Sequence, residues 1–179
     1  MESAAQFSSR KLSLTGAAME LPFNLGEMPH LYRILEPFNP VAFLESREGT
    51  EKYARYGIVA ARPLLTVQGK GNDYSVVDDS DLETFHRVKD PLELLRSLQP
   101  DVRIPDMLDN YRFTAGWVGS LGYEVCELFE GIPRAPEDDI DLPDTIFYLP
   151  SLVILKDASA QRLTLVCVER SGIEARQLL

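Results

Sequence analysis

Residues 146–168, IFYLPSLVILKDASAQRLTLVCV, decide the fold class of this chain. Two runs rich in branched and aromatic residues flank the polar turn ASAQ, a pattern that predicts an antiparallel β-hairpin. A second pair of such runs, PLLTVQ and DYSVVD, flanks the glycine-rich connection GKGN at residues 69–72. This pattern is also typical of a hairpin. Two hairpins in one chain predict a sheet that is largely antiparallel.

Further strands and helices lie around these hairpins. VAFLES at residues 41–46 and RYGIVA at residues 55–60 predict two more strands. Apolar residues at helical spacing, together with capping residues, predict four helices. Their segments are MPHLYRILEPF from Met28, DPLELLRSL from Asp90, the second half of RFTAGWVGSLGYEVCELFEGIP ending at Gly131, and SGIEARQLL from Ser171. The predicted class is α+β, with hairpins of an antiparallel sheet covered by helices.

The sequence suggests that the folded region begins after residue 20, and it leaves two interpretations of the C-terminal end. Residues 1–20, MESAAQFSSRKLSLTGAAME, are small, polar and weakly basic, and we expect a mobile leader or an expression remnant there. A transit peptide would share that composition. Residues 21–179 are then one folded region. The helix predicted from Ser171 has only two turns, so it is either a frayed terminus or the point at which a longer chain was cut.

Composition excludes several classes of partner. The chain of 179 residues is 45% hydrophobic and carries a formal net charge of −10. This charge disfavours nucleic acid and anionic membranes, because both would repel it. No apolar run approaches the length of a membrane span. Only two cysteines occur, Cys126 and Cys167, which favours a reducing cytoplasm over a disulfide-bonded secreted protein.

Catalytic and metal-binding motifs are weak. His30 and His86 lie near no recognisable nucleophile, and we expect both to be solvated. A run of carboxylates could bind a hard cation, but its prolines and the lack of a glycine turn favour a solvated loop, so no metal site is predicted. Those carboxylates are Glu137, Asp138, Asp139, Asp141 and Asp144.

Three glycines, Gly116, Gly119 and Gly122, recur every third residue. A phosphate-binding loop would need a lysine and a spacing that are absent. The favoured interpretation is steric: the glycines let the strand-to-helix turn press against another backbone. Trp117 and Tyr123 then point into the core or into an interface.

Residues 43–63, FLESREGTEKYARYGIVAARP, combine acids, bases and tyrosines beside apolar Phe43 and Leu44. One hypothesis is simply a polar hairpin end. The other is a pocket for a small zwitterion, in which Glu45 meets an ammonium group and Ser46 a carboxylate. In a regular strand Glu45 and Ser46 point to opposite faces, so one of them would only orient the backbone.

Three segments, in order, resemble the start of anthranilate synthase component I. FLESREGTEKYARYGIVAARP resembles the family's LLES…RYSFIG…P segment. FTAGWVGSLGYEVCELFE resembles GGAVGYLGYDVVRYFE, and DDIDLPDTIFYLPSLVILKDASAQRLTLV resembles DDLGLPDALFMLYDTVVVFDH…LTLV. The large component of aminodeoxychorismate synthase shares these segments. The resemblance covers nearly all of residues 21–179.

The resemblance implies an N-terminal region, part of the β-sandwich architecture of chorismate-utilising enzymes, without the chorismate-binding portion. No catalytic residue is carried over. Mg²⁺ is expected in the missing portion, and a glutamine amidotransferase subunit is the expected partner. The family's LLES strand helps bind L-tryptophan as a feedback effector. In some aminodeoxychorismate synthases tryptophan is instead a structural ligand in the equivalent place, to which a Y-x-R-[FY] cluster contributes. The residues that match this effector site are Leu44, Glu45, Ser46, Tyr53, Arg55 and Tyr56.

Several alternatives stay open. The parent enzyme is either anthranilate synthase, which makes anthranilate for tryptophan biosynthesis, or aminodeoxychorismate synthase of the folate pathway. A different class of function is a stand-alone tryptophan-binding regulatory module, and a third is a structural domain that binds nothing. The family's GGAVGY is AGWVGS here, so Ala115, Trp117 and Ser120 depart from the pattern. These departures put the packing of this turn in doubt.

Overall fold

The computed structural model describes residues 12–46, 55–109, 111, 113–133 and 141–179. They belong to two compact units. The first comprises Leu64–Gln99 and Trp117–Leu149, and the second comprises Ser13–Pro63, Pro100–Gly116 and Pro150–Leu179. Both units combine antiparallel strands with short helices, which confirms the α+β class. The β-sandwich assignment stays a prediction.

The described residues form nine strands and four α-helices. The strands are β1 Ser13–Leu21, β2 Pro40–Glu45, β3 Tyr56–Lys70, β4 Asp73–Asp78, β5 Glu83–Arg87, β6 Asp101–Arg103, β7 Val118–Leu121, β8 Thr145–Asp157 and β9 Arg162–Glu169. The helices are α1 Met28–Ile34, α2 Pro91–Ser97, α3 Cys126–Glu130 and α4 Gly172–Gln177. Single 3-10 turns occupy Phe23–Leu25, Glu36–Phe38, Asp106–Leu108 and Tyr123–Val125. No helix in the described part of the chain is long and apolar enough to cross a membrane.

Residues 150–168 of the predicted hairpin lie in the second unit. β8 pairs antiparallel with β9, β9 with β1, and β1 lies parallel to the short β6. β2 pairs antiparallel with β3. The strand β6 was not predicted, because its three residues are too few to show a periodic pattern.

The strand β1 corrects the leader expected over residues 1–20. Ser13–Leu21 pairs with β9 along its length, from Thr15 opposite Glu169 to Leu21 opposite Leu163. Leu14 is fully buried. The small residues that suggested a leader suit a closely packed strand instead, since a Cβ on Gly16 would lie 3.3 Å from the Arg103 carbonyl oxygen and 3.4 Å from a methyl carbon of Val168. Residues 1–11 lie outside the described part of the chain.

Helices α1 and α4 share one apolar core in the second unit. Met28, Leu31 and Leu35 from the α1 segment are buried in the same cluster as Ala175 of α4. The strands supply the remaining buried members of the cluster, namely Ala17, Val59, Ala61, Leu152, Ile154, Leu163 and Cys167. The predicted helix start at Ser171 is confirmed, because the Ser171 hydroxyl accepts a hydrogen bond from the Glu174 amide at 3.2 Å. Leu178 and Leu179 pack against this cluster as well.

β3 is one strand where two were expected. The predicted break near Pro63 is a local irregularity, with Arg62 in the left-handed region at a φ of 54°. The Arg62 guanidinium bonds to the carboxylate of Glu169, which is 3% exposed, and donates to the Ser151 hydroxyl at 3.1 Å. These long-range contacts hold a conformation that short-range sequence patterns do not reveal.

The first unit contains the second predicted hairpin. β3 pairs with β4 through residues 65–70, and β4 pairs with β5, a strand that was not predicted. Gly71 at the turn has a φ of 56°, a conformation that glycine adopts at little cost. The predicted start of α2 is confirmed, because the Asp90 carboxylate accepts from the Leu92 amide at 2.8 Å.

The steric interpretation of the recurring glycines is confirmed at Gly119. β7 pairs with β8, and a Cβ on Gly119 would overlap the Ile146 carbonyl oxygen and lie 2.7 Å from the Cα of Phe147. The helix expected after this strand is shorter than predicted, because Leu121 still belongs to β7. Tyr123 does not enter the core, since 80% of it is exposed.

An ion pair fixes the start of β3 in the second unit. The Arg55 side chain donates to the Asp157 carboxylate at the end of β8, with distances of 2.9 Å from Nε to Oδ1 and 2.6 Å from Nη2 to Oδ2. These hydrogen bonds lower the pKa of Asp157, against an opposing effect of burial. The Ala158 amide also donates to the Arg55 carbonyl at 2.9 Å.

We predict that Gly119→Ala lowers the free energy of unfolding by about 3 kcal/mol, because the added methyl meets backbone atoms that cannot move aside. Ser120→Ala, at the exposed next position of β7, is the control and should change it by less than about 0.5 kcal/mol. Chemical denaturation of both variants measures the difference. Equal stability of the two variants would contradict the close approach of β7 to β8.

We predict that Asp157→Asn destabilises the protein at pH 7 by about 2 kcal/mol, the cost of losing a charge-assisted hydrogen bond. A carboxylate with a lowered folded-state pKa stabilises above its unfolded pKa of about 3.9 and loses this effect as pH falls through the folded pKa. The difference in free energy of unfolding between the wild type and the variant should therefore become smaller below pH 4. Urea midpoints at pH 7 and pH 3 measure it, and a gap of constant size would argue against the ion pair.

Candidate functional site

The predicted site residues 44–46 lie at the end of β2. The register places Phe43 opposite Val59, Leu44 opposite Ile58 and Glu45 opposite Gly57. Residues opposite each other in an antiparallel pair share a face, and faces alternate along a strand. Glu45 therefore lies on the same face as Phe43, and Leu44 lies on the other. Ser46 follows directly after the strand.

Helix α1 covers the face that carries Phe43 and Glu45. The Tyr32 ring meets the Phe43 ring edge-on, with centroids 6.0 Å apart. Met28 sits over Gly57, where a Cβ would lie 2.6 Å from its sulfur atom. The absence of a side chain at Gly57 thus lets the start of α1 approach the strand beside Glu45.

The end of β2 is an accessible sheet edge. Among the described strands β2 pairs only with β3. Leu44 is 50% exposed, Phe43 is 39% exposed, and the polar side chains of Glu45 and Ser46 are exposed beside them. An edge strand offers unpaired backbone donors and acceptors to a ligand or to another chain. Apolar, acidic and hydroxyl groups therefore meet there within four residues.

A groove of about 670 Å³ runs between α1 and β2. Its walls include the rings of Tyr32 and Phe43, and Arg33 and Glu36 supply one charge of each sign. This lining combines what an aromatic zwitterion requires, namely apolar faces, a cation and an anion. Sequence patterns did not reveal the groove, because it exists only once α1 has docked on the strand.

Arg55 and Tyr56 lie at the start of β3. Arg55 already has a partner in Asp157, and its guanidinium lies 4.8 Å from the centroid of the Tyr56 ring. Tyr56 precedes Gly57, the partner of Glu45, and its ring lies 6.5 Å from that of Tyr111. The structure thus places Tyr56 beside the end of β2 and commits Arg55 to the end of β8. Tyr53 lies outside the described residues.

Alternating charges continue from Arg55 across the hairpin end. Asp157 is the register partner of Arg162, the first residue of β9. The Arg162 guanidinium donates to the Glu20 carboxylate of β1, with 2.8 Å from Nε to Oε1. The series Arg55, Asp157, Arg162 and Glu20 ties three strands and the chain entering β3 together. Its members have their charges satisfied within the second unit, so their part in the site is to position β3.

The other residues considered as ligands take structural or surface positions. Asp144 is buried and accepts from the Gly71 amide at 2.7 Å, and Asp141 pairs with Lys70. Glu137, Asp138 and Asp139 lie outside the described residues. His30 is exposed on α1, and His86 of β5 lies 2.9 Å from the Thr84 hydroxyl. Within the described ranges no three His, Cys, Asp or Glu residues group as metal ligands.

Both cysteines are free thiols. Cys167 lies in the core of the second unit, and burial raises its pKa to about 11. A thiol with such a pKa is protonated at neutral pH and is a poor nucleophile.

Comparison with known proteins gives several relatives. The chain is 28% identical over 166 residues to anthranilate synthase component 1 of Acetivibrio thermocellus, which covers 89% of this chain and 32% of that protein. It is 32% identical over 151 residues to the same component of Cereibacter sphaeroides, covering 82% and 30% of the two chains. Aminodeoxychorismate synthase component 1 of Escherichia coli is 30% identical over 136 residues, covering 75% and 29%.

A solved structure shares the fold. The crystal structure of anthranilate synthase component I from Streptococcus pneumoniae TIGR4 matches with a TM-score of 0.55 and 21% identity, over 77% of this chain and 29% of that one. No protein-family model matches the chain. The chain spans about a third of the length of the curated relatives it matches. It is therefore a relative of the component 1 chains of anthranilate synthase and aminodeoxychorismate synthase. It corresponds to one region of such a chain, about a third of its length.

Proposed function

We propose that this chain is the N-terminal, effector-binding and scaffold region of an anthranilate synthase component 1 protein in the cytoplasm. The observation that carries this proposal is the identity of 28% and 32% to two such components, over more than four fifths of the chain. The region would belong to the β-sandwich architecture of these enzymes and would be inactive by itself.

The parent enzyme would join ammonia to chorismate. A glutamine amidotransferase subunit would release the ammonia, which replaces the chorismate hydroxyl as water leaves. Loss of pyruvate from the aminated ring then yields anthranilate. The chorismate-binding portion, with its Mg²⁺, would lie outside the present chain. The described residues supply no catalytic group to this scheme; they hold the scaffold and the effector site.

The effector would be L-tryptophan, bound at the end of β2. An indole ring needs apolar contact area, and Leu44 and Phe43 expose such area on either face of the strand end. The ammonium group needs an anion, for which Glu45 is exposed and available. The carboxylate needs donors, which the Ser46 hydroxyl and the unpaired backbone of an edge strand can supply. In this scheme Tyr56 lines the site, and Arg55 holds β3 in place through Asp157.

Aminodeoxychorismate synthase is the second candidate function. It is favoured by the 30% identity over 136 residues to component 1 of the Escherichia coli enzyme. The two reactions start from the same substrates but differ in the carbon that receives nitrogen and in the loss of pyruvate. Their products are therefore distinct, and one assay separates them.

We predict that the full-length protein binds L-tryptophan and that Glu45→Gln and Ser46→Ala each raise the dissociation constant about tenfold. Glu45→Gln removes the negative charge that faces the ligand ammonium, and Ser46→Ala removes a hydrogen bond to the ligand carboxylate; tenfold corresponds to about 1.4 kcal/mol. Isothermal titration calorimetry measures the effect. Glu83→Gln, at the exposed first residue of β5, is the matched control and should bind as the wild type does.

Wild-type affinity in both site variants would rule out the end of β2 as the tryptophan site. An equal loss of tryptophan affinity in the Glu83→Gln control would show that the effect arises from net charge rather than from contact with the ligand. The thermal midpoint of each variant should stay within a few degrees of the wild type, because Glu45, Ser46 and Glu83 are all exposed.

We predict that the full-length protein, mixed with its amidotransferase subunit, chorismate, glutamine and Mg²⁺, forms anthranilate and an equal amount of pyruvate. Mass spectrometry of the products checks this. Accumulation of an aminated chorismate that retains its pyruvyl group would select the second candidate function. A protein that consumes no chorismate would contradict both.

A further inference from the structure

We propose that the outer edge of β5 in the first unit is a self-association surface, on which β5 of a second copy of this chain pairs antiparallel about Phe85. The two copies are related by a two-fold axis, so the same strand supplies both sides of the contact. The β4–β5 pair of each copy thereby gains one strand from the other copy. No part of the function proposed above depends on this contact.

β5 is an edge strand among the strands that the structure describes. It comprises Glu83–Arg87, and among those strands it pairs only with β4. An edge strand carries a row of backbone N–H and C=O groups with which another strand can pair. Side chains that alternate along the edge then determine which strand can be added.

Two backbone hydrogen bonds mark the ends of the β4–β5 pair. The Asp78 amide donates to the Leu82 carbonyl at 3.1 Å, and the Val88 amide donates to the Asn72 carbonyl at 2.9 Å. Both bonds continue the register of the two strands. The backbone groups that flank β5 at residues 82 and 88 therefore point toward β4.

The orientation of the backbone groups within β5 follows from these two bonds. Hydrogen-bonded and non-hydrogen-bonded residues alternate along an antiparallel pair. Thr84 and His86 therefore direct their N–H and C=O groups toward β4, as residues 82 and 88 do. The N–H and C=O groups of Glu83, Phe85 and Arg87 point to the open edge.

Residues 83–87, ETFHR, are complementary to themselves when two copies run antiparallel. In a pair centred on Phe85, the two Phe85 rings lie opposite each other, and Glu83 of each copy lies opposite Arg87 of the other. These are the same three residues whose backbone groups point outward, so this register also allows hydrogen bonds at each of them. Aromatic pairs and opposite charges placed directly across two strands stabilise the pairing. Backbone geometry and side-chain pattern thus select one register.

The side chains that this contact needs are accessible. Phe85 is 78% exposed, and its register partner on β4 is the small residue Ser75. Glu83 is exposed and forms no ion pair within the described part of the chain. Arg87 lies 3.8 Å from Asp73, measured from Nε to Oδ1, and both side chains are more than three-quarters exposed. This distance exceeds that of a hydrogen bond, so the Arg87 guanidinium can still donate to Glu83 of the second copy.

The charge pattern selects a second copy as the occupant. An added antiparallel strand must place a base, an apolar residue and an acid at alternate positions opposite Glu83, Phe85 and Arg87. A strand of uniform charge would meet a like charge at one end. β5 itself has the required order. Since five residues on each side bury little area, we expect a weak dimer that forms in a concentration-dependent manner.

Sedimentation velocity of the full-length protein, from about 2 to 200 µM in about 150 mM salt, tests this contact. This ionic strength screens the repulsion between two negatively charged copies. The wild type should show a monomer–dimer equilibrium. Phe85→Ala should raise the dimer dissociation constant at least about tenfold, because it removes the central aromatic pair.

Two charge reversals test the register. Glu83→Arg and Arg87→Glu each place like charges opposite one another in a homodimer, so each should raise the dissociation constant at least about tenfold. An equimolar mixture of the two variants should dimerise about as strongly as the wild type, because every pair again joins an acid to a base. Glu130→Arg is the matched control, since it makes the same change in charge at the exposed end of α3 and should leave self-association unchanged.

A wild type that stays monomeric over the whole concentration range would overturn the proposal. Wild-type affinity in Phe85→Ala and in both charge variants would place the contact on a different surface. Failure of the mixture to associate would exclude the antiparallel register. Circular dichroism of each variant should match the wild type, because Glu83, Phe85 and Arg87 are exposed.

Discussion

The close contact of helices α1 and α4 with the strands beneath them is the constraint on which the second unit depends. Small residues make this contact possible: Gly57 leaves room for Met28, and Ala17, Ala61 and Ala175 are buried in the shared core. Because two helices and four strands share a single apolar cluster, the strands cannot shift their register without exposing it. The position of β2, which pairs only with β3 among the described strands, follows from that register.

The same constraint supports the proposal that the end of β2 is a binding site. The core holds β3 in place, and the Arg55–Asp157 ion pair ties the start of β3 to the β8–β9 hairpin. The last residues of β2 therefore project from a rigid element while their outer edge has no described strand beside it. A rigid support with accessible polar and apolar groups is what precise recognition of a small ligand requires. Arg55 contributes as a positioning residue, since its charge is taken up by Asp157.

Local patterns predicted the elements whose signals are local. The hairpin at 146–168, the Asp90 cap of α2 and the Ser171 start of α4 were all visible, because each depends on residues within a few positions of one another. The strand β1 was missed, since its run of small residues gains a partner only from β9, far along the chain. The continuity of β3 through Arg62 rests on contact with Glu169, and the α1–β2 groove exists only after packing. Distant contacts of this kind leave no periodic mark in a sequence.

Hydrogen–deuterium exchange of the full-length protein, with and without saturating L-tryptophan, tests the central claim most directly. The account predicts that the ligand slows exchange of the backbone amides at residues 43–46, where an edge strand gains new hydrogen bonds, while amides of β4 and β5 in the first unit are unaffected. Protection confined to other segments, with unchanged exchange at residues 43–46 despite demonstrated binding, would contradict the assignment of the effector site to the end of β2.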